Sequence, residues 1–175
     1  MAITAPSSAA PAVATDDRDE RIRGLFDEHY GGLCRLAYLI VGDEAQAEEL
    51  VMDAFVRTFA GWRRIRDLDR ADAYLRRAVV NLSRSRVRRR HIEERSPRSD
   101  PMTTSFSTDV DDARVVLDAV RALPHRQRAA VVLRYYQDLP EAEIADALGC
   151  SLGTVKSQLS KARASLADAL QGVDR

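Results

Sequence analysis

The stretch LGCSLGTVKSQLSKARASL, residues 148–166, decides the fold. Gly149 follows an apolar segment and suits the position just past a helix end, where positive φ is needed. Ser151 suits the N-cap of a second helix. In that helix Val155, Leu159, Ala162 and Leu166 recur at helical spacing and form one apolar stripe. The opposite face carries Gly153, Ser157, Ser160 and Ala164, edged by Lys156 and Lys161. No acid occurs between Cys150 and Ala167. A solvated helix face usually carries Glu, Lys and Gln; a row of small residues instead admits another surface closely.

Just upstream, Pro140 opens a short helix whose Ile144, Ala145 and Leu148 face inward. Ala145 is small enough for two helices to cross closely. Two short helices, a tight turn with glycine and a small residue at the crossing describe a helix-turn-helix, whose second helix enters the DNA major groove.

Working outward, the 175 residues suit one or two small domains. Hydrophobic residues are 45% and charged residues 31%, glycine is scarce and β-branched alternation is rare, so the chain is expected to be all-α. The net charge of zero hides blocks. Residues 16–60 carry 5 basic and 11 acidic side chains, a net of −6; residues 61–90 carry 11 and 3, a net of +8; residues 91–112 carry 2 and 6, a net of −4. Such asymmetry separates surfaces that meet nucleic acid from surfaces that do not.

Residues 1–18 read as a disordered tail rich in Ala, Pro, Ser and Thr. From Asp19, Ile22, Leu25, Phe26, Leu33, Leu36, Ala37 and Ile40 mark a helix, loosened at Gly31–Gly32 and ended by Gly42. Asp43 and Gln46 resemble a capping box ahead of a helix that buries Ala47, Leu50, Val51, Ala54, Phe55, Thr58 and Phe59. Trp62 follows it as a core residue, and its outer face shows Glu48, Glu49, Asp53 and Arg57. Asp69 is the expected cap of a third helix through Tyr74, Leu75, Ala78, Val79 and Leu82, running on into Arg84, Arg86, Arg88, Arg89 and Arg90. Three helices make a first domain over 19–91. Residues 92–112 lose periodicity and form a flexible acidic linker. A second domain, 113–170, starts with a helix marked by Val116, Leu117, Val120 and Leu123. Pro124 opens the next, with Ala129, Val132, Leu133 and Tyr136.

Nothing in the sequence marks an enzyme. His29, His91 and His125 are scattered without metal-ligand spacing, and there is no glycine-rich phosphate loop and no nucleophile elbow. No catalytic residue, cofactor or metal is therefore expected. Cys34 and Cys150 read as isolated, partly buried thiols of a reduced cytoplasm. The N-terminus makes no convincing signal peptide and no segment is apolar enough to span a bilayer, so a cytoplasmic location without membrane insertion is expected. The short stretch after Leu166 leaves no appended regulatory domain to expect.

At these residues a family resemblance is evident. LPHRQRAAVVLRYYQDLPEAEIADALGCSLGTVKSQLSKARASL is similar to region 4 of bacterial RNA polymerase sigma factors of the extracytoplasmic-function group of the sigma-70 family. FDEHYGGLCRLAYLIVGDEAQAEELVMDAFVRTFAGWRRI and YLRRAVVNLSRSRVRRR are similar to region 2. The two matches occur in the family's order across most of residues 25–170, and they resemble its actinobacterial, sigma-E-like branch. The resemblance implies two small helical domains, a region 2 bundle and a four-helix region 4, that together give core RNA polymerase its choice of promoter. It implies that region 2 docks on the β′ clamp helices and opens the −10 element, while region 4 binds the β flap and reads the −35 element.

Residue by residue, the resemblance assigns Glu48, Glu49 and Asp53 to the clamp. A purely solvated acidic face is the alternative. It assigns Arg76, Arg77, Asn81, Arg84 and Arg88 to the −10 element and its phosphates; arginine neutralises phosphate and an amide can bond a base edge. The loop 63–70 corresponds to the one that captures a flipped base. Ser151, Thr154, Lys156, Ser157, Ser160 and Lys161 fall in the recognition helix and its cap. Gln158 and Lys161 stand where family members often have arginine, which weakens bidentate guanine recognition there. The net-negative linker suits a basic polymerase channel and suits plain solvation equally. The implied partners are core RNA polymerase and promoter DNA, with room for an anti-sigma factor. Two rivals stay open: an autonomous helix-turn-helix regulator acting without polymerase, and an adaptor that has lost DNA reading.

Overall fold

The computed structural model describes residues 13–61, 70–93 and 111–171. The bulk of the expected N-terminal tail and linker, nearly all of the base-capture loop, Trp62 and the Asp69 cap lie outside the described residues. The described chain is helical: α1 (Val13–Val41), α2 (Glu44–Ala60), α3 (Ala71–Glu93), α4 (Asp111–Ala122), α5 (His125–Val131) running into a π-helical segment (Val132–Tyr136), α6 (Glu141–Leu148) and α7 (Leu152–Gln171).

Local chemistry sets the boundaries. Gly42 takes φ 82° and ends α1. The Asp43 carboxylate accepts the Gln46 N–H at 2.8 Å and caps α2. Pro124 and Pro140 stand immediately before α5 and α6, where a missing N–H removes no helical bond. Gly149 is left-handed, φ 61° and ψ 47°, with its N–H returned to the end of α6. The Ser151 hydroxyl accepts the Thr154 N–H at 3.2 Å and caps α7.

Helices α1, α2 and α3 pack on one another through Leu36, Ile40, Leu50, Val51, Ala54, Leu75 and Val79, all inaccessible to solvent. Phe26 stacks on Tyr30 with centroids 4.5 Å apart and leans on Phe55 at 5.0 Å. Helices α4 to α7 gather around Ala129, Leu133, Ile144, Val155, Leu159 and Ala162. The two lobes also touch: α3 packs on α5 and α6, and α1 on α4, α5 and the π-helical segment, so the buried side chains form one continuous cluster.

Several local expectations change. Helix α1 starts at Val13, upstream of Asp19, and runs unbroken through Gly31 and Gly32. Packing of the flanking Leu33 and Leu36 against the bundle holds those glycines in the helix. Tyr74 and Val116 are exposed although their spacing suggests burial. Tyr136 is exposed because the π-helical segment, closed by the Gln137 N–H on the Val132 carbonyl at 3.2 Å, rotates the register away from a 3.6-residue period. Among the described residues no helix is long and apolar enough to cross a membrane, and no group of three or more His, Cys, Asp or Glu could hold a metal ion.

Candidate nucleic-acid interface

Two helix faces carry the candidate contacts. On α7, Val155 and Ala162 are fully buried and Leu159 nearly so, which fixes the helix rotation. At 100° per residue, Gly153, Ser157, Ser160 and Ala164 then fall within about 60° of one another on the outer side. All four are exposed, as are Ser151, Lys156 and Lys161 on their flanks. A Cβ built on Gly153 would meet only the Ser151 Oγ, at 4.0 Å, so the fold itself does not require glycine there. Thr154 and Gln158 are half-buried on one edge of the helix. The Thr154 hydroxyl lies 2.9 Å from the Ser151 hydroxyl, so these two residues belong to the cap as much as to an outer surface.

On α3, burial of Leu75, Val79 and Leu82 fixes the rotation. Arg77, Asn81, Arg84 and Arg88 recur at intervals of four, three and four, within about 60°, and all are exposed. Arg76 does not join them. It sits about 100° from Arg77, its side chain only 13% exposed, and its guanidinium meets Asp72 at 2.6 Å and Glu143 of α6 at 4.0 Å. Arg86 is turned away too, its guanidinium on the Glu49 carboxylate at 2.5 Å. That contact holds the Glu49 carboxyl below its ordinary range and raises the Arg86 guanidinium. The arginine run is therefore divided between an outward stripe and internal ion pairs, which an unbroken string of letters does not reveal.

The acidic face of α2 carries more than acid. Glu48 and Glu49 are exposed and Asp53 half-exposed, and among them stand Met52, 45% exposed, and Val56, 64% exposed. Residues 52 and 56 are one helical turn apart, so an apolar pair sits inside the acidic face. Burial of Leu50, Val51 and Ala54 on the other side was the available signal for it.

The seam between the lobes gathers polar groups that sequence reasoning missed. Ser83 is fully buried, donates to the Val80 carbonyl at 2.8 Å and lies 3.1 Å from the His125 Nε2. Burial, with Arg128, Arg84 and Arg126 nearby, pushes His125 down to about 4. Arg128 donates to the Ile40 carbonyl of α1 at 2.8 Å and to the Leu123 and Arg121 carbonyls of its own lobe. Arg121 stacks over the Tyr38 ring, 5.1 Å from its centroid, and bonds its hydroxyl. Arg35 donates to the Tyr136 hydroxyl at 3.0 Å. Beside this contact Cys34, Tyr38, Leu39, Ala47 and Tyr136 line an apolar cavity of about 320 Å³. Burial raises the Cys34 thiol.

These features define a two-lobed helical protein with a helix-turn-helix in its second lobe. Comparison with known proteins names the family. Residues 25–92 match the sigma-70 region 2 model and residues 113–166 the sigma-70 region 4 model. The chain is 38% identical over 146 residues to the RNA polymerase sigma-E factor of Streptomyces coelicolor, covering 81% of each chain. It is 35% identical over 144 residues to the ECF RNA polymerase sigma factor SigM of Mycobacterium tuberculosis, covering 82% of this chain and 74% of that one. Among solved structures, the sigma factor RpoE of Bartonella quintana, crystallised with the anti-sigma factor NepR, superposes with a TM-score of 0.72 at 24% identity, over 92% of this chain and 99% of that one. The chain belongs to the sigma-70 family of RNA polymerase sigma factors, in its extracytoplasmic-function group.

Proposed function

We propose that this protein is a promoter-specificity factor: it binds core RNA polymerase, recognises −35 and −10 promoter elements and starts transcription there, in the cytoplasm and without catalytic chemistry of its own. The observation that carries this reading is the pairing of regions 2 and 4 in one chain, each with an outward helical stripe suited to nucleic acid.

The division of labour follows from the side chains. The face of α7 with Gly153, Ser157 and Ser160 lets its backbone approach the major-groove floor of the −35 element. Lys156 and Lys161 reach phosphates or guanine acceptors, and Ser151 and Thr154 orient the N-terminal end. The α3 stripe takes the −10 element: Arg77, Arg84 and Arg88 neutralise phosphates and Asn81 offers an amide to a base edge. Arg76 contributes after it leaves Asp72 and Glu143. On α2, Glu48, Glu49 and Asp53 meet the β′ clamp helices, with Met52 and Val56 as the apolar centre that an acidic rim surrounds. Region 4 binds the β flap. An anti-sigma factor is a further partner class.

Promoter-directed transcription with purified core polymerase tests this reading. Core binding together with start-site-specific transcripts is the expected result; tight binding to duplex promoter DNA without any need for core would instead favour an autonomous regulator.

A further inference from the structure

Arg86 stands inside the basic run of α3, yet it faces the other way. At 100° per residue it lies about 140–180° round the helix from Arg77, Asn81, Arg84 and Arg88. It continues the line of the buried Leu75, Val79 and Leu82, and its guanidinium reaches α2. A phosphate lying on the outward stripe is on the far side of the helix from it. Both Nη atoms go to one carboxylate: Nη1 donates to Glu49 Oε2 at 2.7 Å, and Nη2 lies 2.5 Å from Oε1. Such a bidentate fork fixes the plane and the rotamer of the carboxylate. The Glu49 side chain is nevertheless 65% exposed, against 25% for Arg86. An ionised carboxylate offers about four lone-pair sites. With two engaged by Arg86, the others stay open on the exposed side. On α2, Glu49 falls within about 60° of Met52, Asp53 and Val56, so the fixed carboxylate borders the exposed apolar pair.

We propose that Arg86 is a positioning residue of the polymerase-docking face: it holds the Glu49 carboxylate, open side outward, for an arginine or lysine on a basic surface of core polymerase, and takes no part in holding DNA. The inference rests on the promoter-specificity reading and on α2 as the face that meets core. An apolar pair bordered by Glu49 and Asp53 fits a partner that is apolar at its centre and basic around it. A free glutamate side chain loses rotamer freedom when a partner immobilises it. Here the fold does that ordering before core arrives, which favours association. Once docked, Glu49 lies between two cations, Arg86 beneath it and the polymerase side chain above. Position in the sequence groups Arg86 with the DNA-binding arginines; the fold assigns it to the protein partner.

The test measures two affinities of the full chain. One is for purified core polymerase, by fluorescence anisotropy of an N-terminally labelled chain. The other is that of the holoenzyme for promoter DNA across a salt series, with core saturating for each variant. Arg86→Ala should weaken core binding about fivefold and leave the salt slope of the promoter complex as in the parent. On net charge alone, removing a cation from a face that meets a basic partner would tighten core binding, so the direction itself discriminates. Arg86→Lys keeps the charge without the fork and should recover part of the loss. Glu49→Ala should weaken core binding on the order of tenfold, and adding Arg86→Ala to it should weaken binding no further. The pair is largely exposed, so these variants should stay folded, as thermal unfolding will show. Arg86→Ala that tightens core binding, leaves it unchanged, or lowers the salt slope by about one would overturn the proposal. So would Glu49→Ala that binds core as the parent does. A parent chain that fails to bind core would instead overturn the promoter-specificity reading, and this inference with it, before any variant is compared.

Discussion

Helices α3 and α7 both present a stripe to nucleic acid, and they are built oppositely. The α7 stripe is small and neutral at its centre, cationic only at its edges, and free along its whole length. The α3 stripe is long and cationic, and its neighbours Arg76 and Arg86 are already committed to carboxylates. The first design favours close approach of backbone to groove, with discrimination from a few contacts. The second favours affinity that depends steeply on salt, with little discrimination of its own. A two-point grip uses both: one helix supplies register, the other adhesion.

The comparison can be broken most forcefully on α3. Replacing Arg77, Arg84 and Arg88 together by alanine should lower promoter-complex affinity on the order of 100-fold and reduce its salt slope by about three, with core binding intact. A filter-binding salt titration with holoenzyme measures both. On α7, Lys156→Ala/Ser157→Ala should cut −35-dependent initiation about tenfold while lowering the salt slope by at most about one, for the single lysine removed. A large slope change there would erase the distinction between the two helices.

Acidity should act at the seam between the lobes and not on the outer face of α7. His125 is held near 4 in the folded chain by burial and by Arg128, Arg84 and Arg126, with the Cys150 thiol on the same crevice. Free histidine titrates near 6.5. A depressed histidine favours folding fully above about 6.5, and that support fades as pH falls from there toward 4. Between pH 7.5 and 5.5 the His125 contribution to stability should fall by about 1.4 kcal/mol, read as the difference between the parent chain and His125→Ala in chemical unfolding at each pH. A contribution that rises on acidification would reverse the assigned sign.

Smaller effects sharpen the account of α7. Ser151→Ala removes its N-cap and should cost about 1 kcal/mol of stability in thermal unfolding. Gly153→Ala has room, so it should gain up to about 0.5–1 kcal/mol in the same measurement. It should also weaken −35 recognition by holding the helix off the groove floor. An alanine there that improves both would show that the glycine serves neither end.

What the sequence discloses differs between these regions for a physical reason. The rotation of α7, the Ser151 cap, the Gly149 turn and the Asp43 cap all depend on residues a few positions apart, so spacing reveals them. The outward stripe of α3 is legible the same way, once Leu75, Val79 and Leu82 are read as its buried side. The loss of Arg76 to Glu143, of Arg86 to Glu49 and the meeting of Ser83 with His125 join residues 67, 37 and 42 positions apart. No periodicity encodes such pairs. The π-helical segment departs from the period on which spacing arguments rest, so spacing alone puts Tyr136 on the buried side although it is exposed. Met52 and Val56 are legible too, since the buried Leu50, Val51 and Ala54 leave them on the outer face among the charges.

The most direct test of the central claim is a single reconstitution: purified chain, core RNA polymerase and a set of genomic promoter fragments, read by start-site mapping. The account predicts transcripts that begin at defined positions only when both chain and core are present, and that vanish with the Arg77/Arg84/Arg88 triple alanine variant while the chain still co-elutes with core. A chain that fails to bind core, or that leaves initiation unchanged whether present or absent, would contradict it.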